Sequence, residues 1–152
     1  MAEQIVLFLF RKQCRISTSY AQTKGVICTQ TIFAKLLYEM EKGRDTVLAT
    51  IVWDSGSAPR GAGAQMLVDA QGPQAGTIGG GNVEKCSGEK ALEVLQSKQS
   101  LVQGYCLAPN QVADIGMICG GEVTVYYQPL TPKELTAVEA LLDMLSRAEN
   151  GW

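Results

Sequence analysis

The sequence predicts an α/β fold, a single domain in which helices pack on a mixed β-sheet. Two patterns lead to this fold class: apolar residues recur at helical spacing in three segments, and short apolar or alternating segments typical of strands lie between them. The chain has 152 residues, 46% of them hydrophobic and 18% charged, which suits one soluble globular domain. Glycine-rich loops separate the segments, and we expect these loops to form a ligand site.

The first helix and the strands are predicted from residue 31 onward. From Thr31 apolar residues recur on one face of a helix, and Gly43 is placed to end it. Residues 46–53 are apolar on both faces, which predicts a central strand. The further predicted strands cover residues 65–69, 74–78, 101–107 and 122–128, and residues 71–73 form a predicted turn between the first two of them.

Two more helices are predicted. Residues 82–97 form a helix that follows three consecutive glycines, with Asn82 as its cap. The last helix begins with a capping box, because Thr131 and Glu134 have the required spacing and Pro132 takes the first helical position. Apolar residues then recur at helical spacing until the end of the chain is near.

The start of the chain differs from the rest. Residues 1–30 lack sustained periodicity, which predicts an N-terminal appendage, disordered at least in part, before a domain over residues 31–152. The longest apolar run, residues 5–10, is too short to span a bilayer, and Arg11 and Lys12 follow it, unlike the order in a signal peptide. We therefore expect a cytoplasmic protein with no membrane partner.

Charge and residue types exclude several kinds of chemistry. A net charge of −2 without a basic cluster argues against nucleic acid as a partner. The five cysteines are odd in number and include no Cys-x-x-Cys pair, so neither a disulfide framework nor a zinc site is predicted. The absence of histidine removes the commonest general base and the usual imidazole metal ligands. Chemistry in this chain must use Cys, Asp, Glu, Lys, Arg or backbone groups.

Three glycine-rich segments mark the candidate site: residues 55–61, 76–81 and 114–121. Glycine lets another molecule touch the backbone, and these segments hold more glycine than strand-joining turns need. In the second segment the glycines precede a predicted helix, whose N-terminal amides and dipole favour a phosphate. The alternative is a tight strand-to-helix turn in which Glu84 complements the dipole itself and repels an anion.

Three side chains in or beside these segments are candidates for ligand contact, and each has a structural alternative. Arg60 follows a proline and offers a planar fork for phosphate or carboxylate, or it is a solvated loop residue. Asp114 either caps a turn or accepts hydrogen bonds from a ligand's amino groups. Cys119 is either a small buried hydrophobe or a reactive thiolate in a glycine loop, whereas the other four cysteines are expected to be inert.

Four segments taken together resemble the XdhC/CoxI family: residues 49–52, 55–61, 76–84 and 114–123. The resemblance covers about residues 32–129. It implies an accessory chaperone that binds molybdenum cofactor and delivers it to xanthine-dehydrogenase-type or carbon-monoxide-dehydrogenase-type molybdenum hydroxylases. Members of the family commonly continue into a C-terminal Rossmann-type domain, which these residues do not include. We expect either that a separate chain supplies that domain or that the chain is a truncated product.

The resemblance also implies which residues hold the cofactor, molybdopterin with its molybdenum. Its phosphate suits the glycine amides and Arg60, its pterin suits Asp114, and its soft metal and dithiolene suit Cys119 as a molybdenum or sulfur contact. The expected cofactor-binding residues are Ser57, Arg60, Gly79, Gly80, Gly81, Asp114, Cys119, Gly120 and Gly121.

The implied partner is the apoenzyme of a molybdenum hydroxylase. A separate Rossmann-domain chain, a cysteine desulfurase and a second copy of the chain are further candidates. Two other functions stay open at this point. One is a thiol-dependent sulfurtransferase or redox enzyme with Cys119 as its catalytic nucleophile, and the other is an interaction module that binds only protein.

Overall fold

The computed structural model describes residues 22–107 and 121–149. In order along the chain, its elements are α1 (Gln22–Glu41), β1 (Thr46–Gly56), β2 (Gln65–Asp69), β3 (Gly72–Gly76), α2 (Gly81–Ser97), β4 (Leu101–Cys106), β5 (Gly121–Leu130), a 3-10 turn (Pro132–Glu134) and α3 (Leu135–Glu149). Within the described residues, no helix is both long enough and apolar enough to cross a bilayer.

The described strands form one five-stranded sheet in the order β3-β2-β1-β5-β4. The predicted α/β class is confirmed, and β1 takes the central position predicted for it. Every pairing between these strands is antiparallel, whereas we expected a mixed sheet. The reason lies in α2, which joins two strands of the same direction, β3 and β4, but places them at opposite edges, so no parallel pair forms.

Each face of the sheet has its own core. On one face α2 packs on β1, β2 and β5. On the other face α1 packs on β3, β2 and β1, and α3 packs on α1. Alternation along β1 serves both faces, since Val47, Ala49 and Ile51 lie in the first core and Leu48 in the second. A central strand that is buried on both sides explains why this segment is apolar at nearly every position.

Several predicted boundaries shift in the structure. The turn predicted at residues 71–73 is wrong, because β3 already begins at Gly72 and includes Pro73. Proline is tolerated there because β3 is an edge strand, in which a missing N–H leaves no neighbouring strand unpaired. The turn consists of Ala70 and Gln71, and Asp69 holds it by accepting hydrogen bonds from Gln71 N (2.7 Å) and Gln74 Nε2 (3.0 Å).

The observed starts of α1 and α2 differ from the predicted ones, whereas the predicted start before α3 is observed. The first helix begins at Gln22, so the boundary predicted at residue 30 falls inside α1. Asn82 is not the cap of α2, because the helix starts at Gly81 and Gly80 takes the cap position. The capping box of Thr131 and Glu134 is confirmed, with Thr131 N donating to Glu134 Oε2 at 2.8 Å. It forms the 3-10 turn that leads into α3.

A buried carboxylate fixes the connection between α1 and β1. Glu39 is 1% exposed, and it forms ion pairs with Lys35 (2.7 Å) and with Arg44 beyond the end of the helix. The Arg44 backbone N–H also bonds to the Glu39 carbonyl at 3.0 Å. The Arg44 guanidinium, and after it the Lys35 ammonium, holds the pKa of Glu39 below its ordinary value despite desolvation.

We predict that Glu39→Gln lowers the free energy of unfolding at pH 7 by roughly 1.5–3 kcal/mol, the scale of hydrogen bonds to charged groups. The pKa of Glu39 is depressed in the folded state, so its stabilisation is present above the unfolded pKa of about 4.3 and is lost as pH falls through the folded value. Denaturant titrations of both chains between pH 7 and pH 3 should therefore converge at acid pH.

The matched control is Glu93→Gln. Glu93 pairs with Lys90 at 2.5 Å, but its side chain is 67% exposed, so its loss should change stability by less than about 0.5 kcal/mol. Equal effects of the two substitutions would contradict the role assigned to Glu39.

Candidate functional site

The loop after β1 contacts both other glycine-rich segments. Gly121, the first residue of β5, pairs with Gly56 at the end of β1. A Cβ atom on Gly121 would lie 2.7 Å from the Ser55 carbonyl oxygen and 3.0 Å from Ala58 N, closer than such atoms approach. A Cβ on Gly79 would lie 3.3 Å from Pro59 Cβ. The first loop is thus packed between the glycine turn before α2 and the start of β5.

Asp54 holds this loop in its conformation. Its carboxylate accepts a hydrogen bond from Ala62 N at 2.7 Å, which closes the loop across eight residues. A β-bulge precedes it, because the pairing of β1 with β5 shifts by one residue between Ile51 and Trp53. Gly63 N then donates to the Ile51 carbonyl at 2.8 Å, so the loop returns to β1 at the bulge.

The turn between β3 and α2 has an internal anion. Gly79, Gly80 and Gly81 have φ angles of +137°, +74° and +60°, which side chains other than glycine rarely adopt. The Glu84 carboxylate accepts hydrogen bonds from Gly80 N (3.0 Å) and from the Thr77 hydroxyl. Gly79 N donates to Thr77 Oγ1 at 3.2 Å.

This arrangement favours the structural alternative for the glycine turn. The amides of Gly79 and Gly80 already have acceptors, and the Glu84 carboxylate lies at the positive end of the α2 dipole, where it opposes a second anion. A phosphate at these amides would have to displace Glu84.

A chain of hydroxyl groups fixes α2 to the sheet beneath the site. Tyr127 OH lies 2.7 Å from Ser87 Oγ on α2 and 2.6 Å from Tyr105 OH on β4. Tyr127 is fully buried, and this burial raises the pKa of its hydroxyl above the ordinary value, so it stays protonated. The three groups satisfy one another in the core, where an unpaired hydroxyl would be destabilising.

The predicted ligand residues fall into three groups. Ser57 and Arg60 are exposed in the first loop, and the Arg60 guanidinium makes no ion pair with a described residue. Gly79, Gly80, Gly81 and Gly121 are brought to the same end of the sheet by the contacts above. Asp114, Cys119 and Gly120 lie outside the described residues, and their roles stay predictions. Leu107 N donates to the Gly121 carbonyl at 2.8 Å, so both ends of the segment that holds them are anchored beside the first loop.

Sequence reasoning missed two residues that organise the site, Asp54 and Thr77, and did not predict the hydrogen bonds of Glu84. Glu84 had been noted only as a competitor for the helix dipole, and nothing in the pattern indicated that Asp54 would bond across the loop. Cys106 was set aside as inert, but it is exposed at the end of β4, in register with Glu122, which in turn pairs with Ser55. Its side chain therefore lies near the site and not in the core.

The family comparison agrees with this geometry. The sequence model of the XdhC and CoxI family matches residues 40–105, which include the first two glycine-rich segments. Over these residues the chain is similar to the XdhC and CoxI family. The predicted resemblance is thereby confirmed. Among the described residues, no group of three or more His, Cys, Asp or Glu side chains is placed to bind a metal ion.

Two curated proteins of Escherichia coli K12 are similar to this chain. The molybdenum cofactor insertion chaperone PaoD is 33% identical over 120 residues, which are 79% of this chain and 36% of PaoD. The uncharacterized protein YqeB is 38% identical over 95 residues, which are 62% of this chain and 17% of YqeB. The chain thus spans about a third or less of these relatives.

A solved structure has the same fold over most of the chain. The crystal structure described as a xanthine dehydrogenase from Bacillus halodurans superimposes with a TM-score of 0.65 at 28% identity. The match covers 76% of this chain and 35% of that one.

We predict that Gly121→Ala destabilises the fold and displaces the first loop. The new methyl group would overlap the backbone of Ser55 and Ala58, so the free energy of unfolding should fall by about 1–3 kcal/mol, the range for overpacking. Gly104→Ala is the matched control on the neighbouring strand, because nothing lies within 4 Å of the position that its Cβ would take.

Denaturant titration measures the first effect, and amide chemical shifts of residues 55–58 and 60–62 measure the second. Comparable stability loss in both variants, or unchanged shifts in Gly121→Ala, would contradict the close contact.

Proposed function

We propose that this protein binds molybdenum cofactor and assists its insertion into a molybdenum hydroxylase of the xanthine dehydrogenase or carbon monoxide dehydrogenase type. The observation that carries the proposal is the meeting of the glycine-rich segments at one end of the sheet, with Ser57 and Arg60 exposed on the loop between the other two. The similarity to the XdhC and CoxI family and to PaoD supports the same role.

Among the described residues, Arg60 is better suited than the glycine amides to bind the phosphate of the cofactor. Arg60 has no acidic partner among them, and its guanidinium can donate two parallel hydrogen bonds to a phosphate. Ser57 can donate a third from the same loop. The glycine turn, whose amides serve Thr77 and Glu84, then forms a close backbone wall for the pterin and does not bind the anion.

The loop's internal contacts suit a carrier that must hold and then release its ligand. Asp54 and Gly121 fix the loop backbone, while Ser57 and Arg60 extend into solvent from it. Binding to a fixed loop loses little conformational entropy. Exposed ligand groups leave the cofactor accessible to a recipient enzyme. When bound, the cofactor supplies the redox chemistry, and this chain supplies its binding and orientation.

Cys119 distinguishes the chaperone from the thiol-dependent enzyme that the sequence left open. Its proposed role is to contact the molybdenum or its sulfur ligand, and as it lies outside the described residues, that role rests on the family resemblance. A sulfurtransferase would turn over with a sulfur donor and would lose activity in Cys119→Ser. A chaperone would show retention and transfer of cofactor without turnover.

The direct test is cofactor retention. Protein incubated anaerobically with cofactor released from a molybdoenzyme should elute from gel filtration with bound pterin, which is detected after oxidation by its fluorescence. PaoD serves as the positive control. If PaoD retains pterin and this protein retains none, the proposed function is wrong. An interaction module would likewise release no small molecule on denaturation.

We predict that Arg60→Ala weakens cofactor binding by about 1.5–3 kcal/mol, because hydrogen bonds to a charged group are lost while the exposed loop stays folded. This corresponds to a dissociation constant that is roughly 10 to 150 times higher. Arg60→Lys should restore part of the affinity, since an ammonium keeps the charge but not the fork.

Arg147→Ala is the control for a general loss of positive charge. Arg147 is 77% exposed and pairs with Asp143 one turn earlier on α3. Titration of pterin fluorescence in the four proteins gives the affinities. If the Arg60→Ala protein binds cofactor as tightly as Arg147→Ala and its circular dichroism is unchanged, Arg60 is a solvated loop residue that does not bind the phosphate.

A further inference from the structure

β4 is an edge strand, and half of its backbone groups face away from the sheet. Leu107 N donates to the Gly121 carbonyl at 2.8 Å, which makes these two residues a hydrogen-bonded pair of the antiparallel ladder. Such pairs alternate along a ladder, so Gln103 and Tyr105 also bond to β5. The residues between them direct their N–H and C=O groups outward, and no described residue accepts from these N–H groups. These outward residues are Val102, Gly104 and Cys106.

Gly104 has no structural reason within the described chain to be glycine. Glycine inside a strand weakens it, and it often marks a bulge, a bend or the close approach of another backbone. The register of β4 with β5 is uninterrupted, so no bulge lies there. The φ angle of Gly104 is outside the left-handed region, and no described residue other than its chain neighbours lies within 4 Å of the position that its Cβ would take. Of the three explanations, the approach of another backbone is left.

This edge also lacks the features that normally prevent pairing with another strand. Natural edge strands carry proline, charged side chains or bulges. The opposite edge, β3, has Pro73 and an irregular register with β2. β4 has the sequence Leu-Val-Gln-Gly-Tyr-Cys, without charge or proline. Val102 is 58% exposed and Cys106 is exposed, so an apolar surface adjoins the outward backbone groups.

We propose that two copies of this chain pair along this edge, β4 against β4, and that their sheets become one continuous sheet. A two-fold axis makes such a pairing antiparallel. With the axis at Gly104, this residue faces its own copy, and Val102 faces Cys106 of the second chain. All three outward residues then bond across the axis. An axis at any other residue of β4 leaves at least one of them opposite a residue outside the strand.

The same axis matches the side chains on the α2 side of the sheet. Leu101 faces Leu107 of the second copy, and Gln103 faces Tyr105. The two leucines and Tyr105 already pack against the core of their own copy with part of their surface uncovered. Cross-strand pairing would cover that apolar surface without bringing two charges of β4 together.

A side chain that bonds to this edge does not prevent the pairing. Gln103 Nε2 donates to the outward carbonyl of Gly104 at 2.9 Å. A carbonyl oxygen has two lone pairs, so it can accept a second hydrogen bond from Gly104 N of the other copy.

The interface is small, so the dimer should be weak and reversible. Three outward residues in each copy donate one N–H each, which gives about six hydrogen bonds between the strands. At about one hydrogen bond per 100–200 Å², this corresponds to roughly 600–1,200 Å² of buried surface. Stable interfaces bury about 1,200–2,000 Å². We therefore expect a dissociation constant on the order of micromolar or higher. The pairing does not depend on cofactor binding, and its test needs no cofactor.

Sedimentation velocity and hydrogen exchange of single amides test the proposal in the full chain. Between about 1 µM and about 1 mM protein, the weight-average mass should rise toward twice that of one chain. The amides of the outward residues should gain protection over the same range. Gln103 and Tyr105, which bond to β5, should stay protected at every concentration and report that the fold is intact.

Gly104→Lys should keep the protein monomeric. The new side chain has open space in a single copy, but two ammonium groups would meet at the axis of the dimer. Val102→Lys, at an exposed position, is a second variant that does not alter a glycine. The matched control is Gln71→Lys, because Gln71 is exposed and lies beside the opposite edge strand, β3. It adds the same charge and should leave the dimer unchanged.

Three results would overturn the proposal. The first is the mass of a single chain at the highest concentration. The second is a dimer that both Gly104→Lys and Val102→Lys leave intact, which would place the interface elsewhere. The third is protection of the outward amides that is equal at all concentrations, which would assign the edge to another part of the same chain.

Discussion

The candidate site depends on a steric constraint, the contact between the Gly121 backbone and the loop after β1. No side chain fits between them, because a single Cβ would already come within 2.7 Å of the Ser55 carbonyl oxygen. This contact lets β1 and β5 stay paired as far as Gly56, the last residue of β1, and Gly121, the first residue of β5, and brings the loop against the end of the sheet. The position of Ser57 and Arg60, the packing of Pro59 on Gly79 and the closure by Asp54 all follow from a loop held at that place.

Much of the fold could be predicted because its signals are local. Apolar residues on both faces of β1 follow directly from burial between two helix layers, and the capping box at Thr131 is a pattern of adjacent residues. The order of the strands could not be predicted in this way. Pro73 was interpreted as a turn residue because the sequence does not reveal that β3 is an edge strand, and the exposure of Cys106 could not be predicted because the sequence does not reveal that β4 is the other edge strand of the described sheet.

In the candidate site, too, the features with local signals could be predicted and the others could not. The sequence identified the glycine-rich segments, since glycine at successive positions is a local signal, and the structure brings the described parts of all three together. It did not predict how their hydrogen bonds are used. Glu84 could be placed near the helix dipole by counting residues, but its bonds to Thr77 and Gly80 depend on the φ angles that the glycines adopt. The Asp54 bond to Ala62 depends on the path of a whole loop.

The β-bulge at residue 52 determines which side chain serves the loop. In a regular strand, Trp53 would continue the face that carries Val47, Ala49 and Ile51, and Asp54 would lie on the opposite face. The extra residue reverses this alternation, so Asp54 comes into register with Val123 on the α2 side and Trp53 with Thr124 on the other. If all these residues paired regularly, with residue 52 opposite Thr124 and Trp53 opposite Val123, the strand would present an indole where the loop needs a carboxylate. The bulge therefore moves each later residue of β1 to the opposite face of the strand. As a result, one strand supplies an apolar face to the core and a polar group to the loop from the same side.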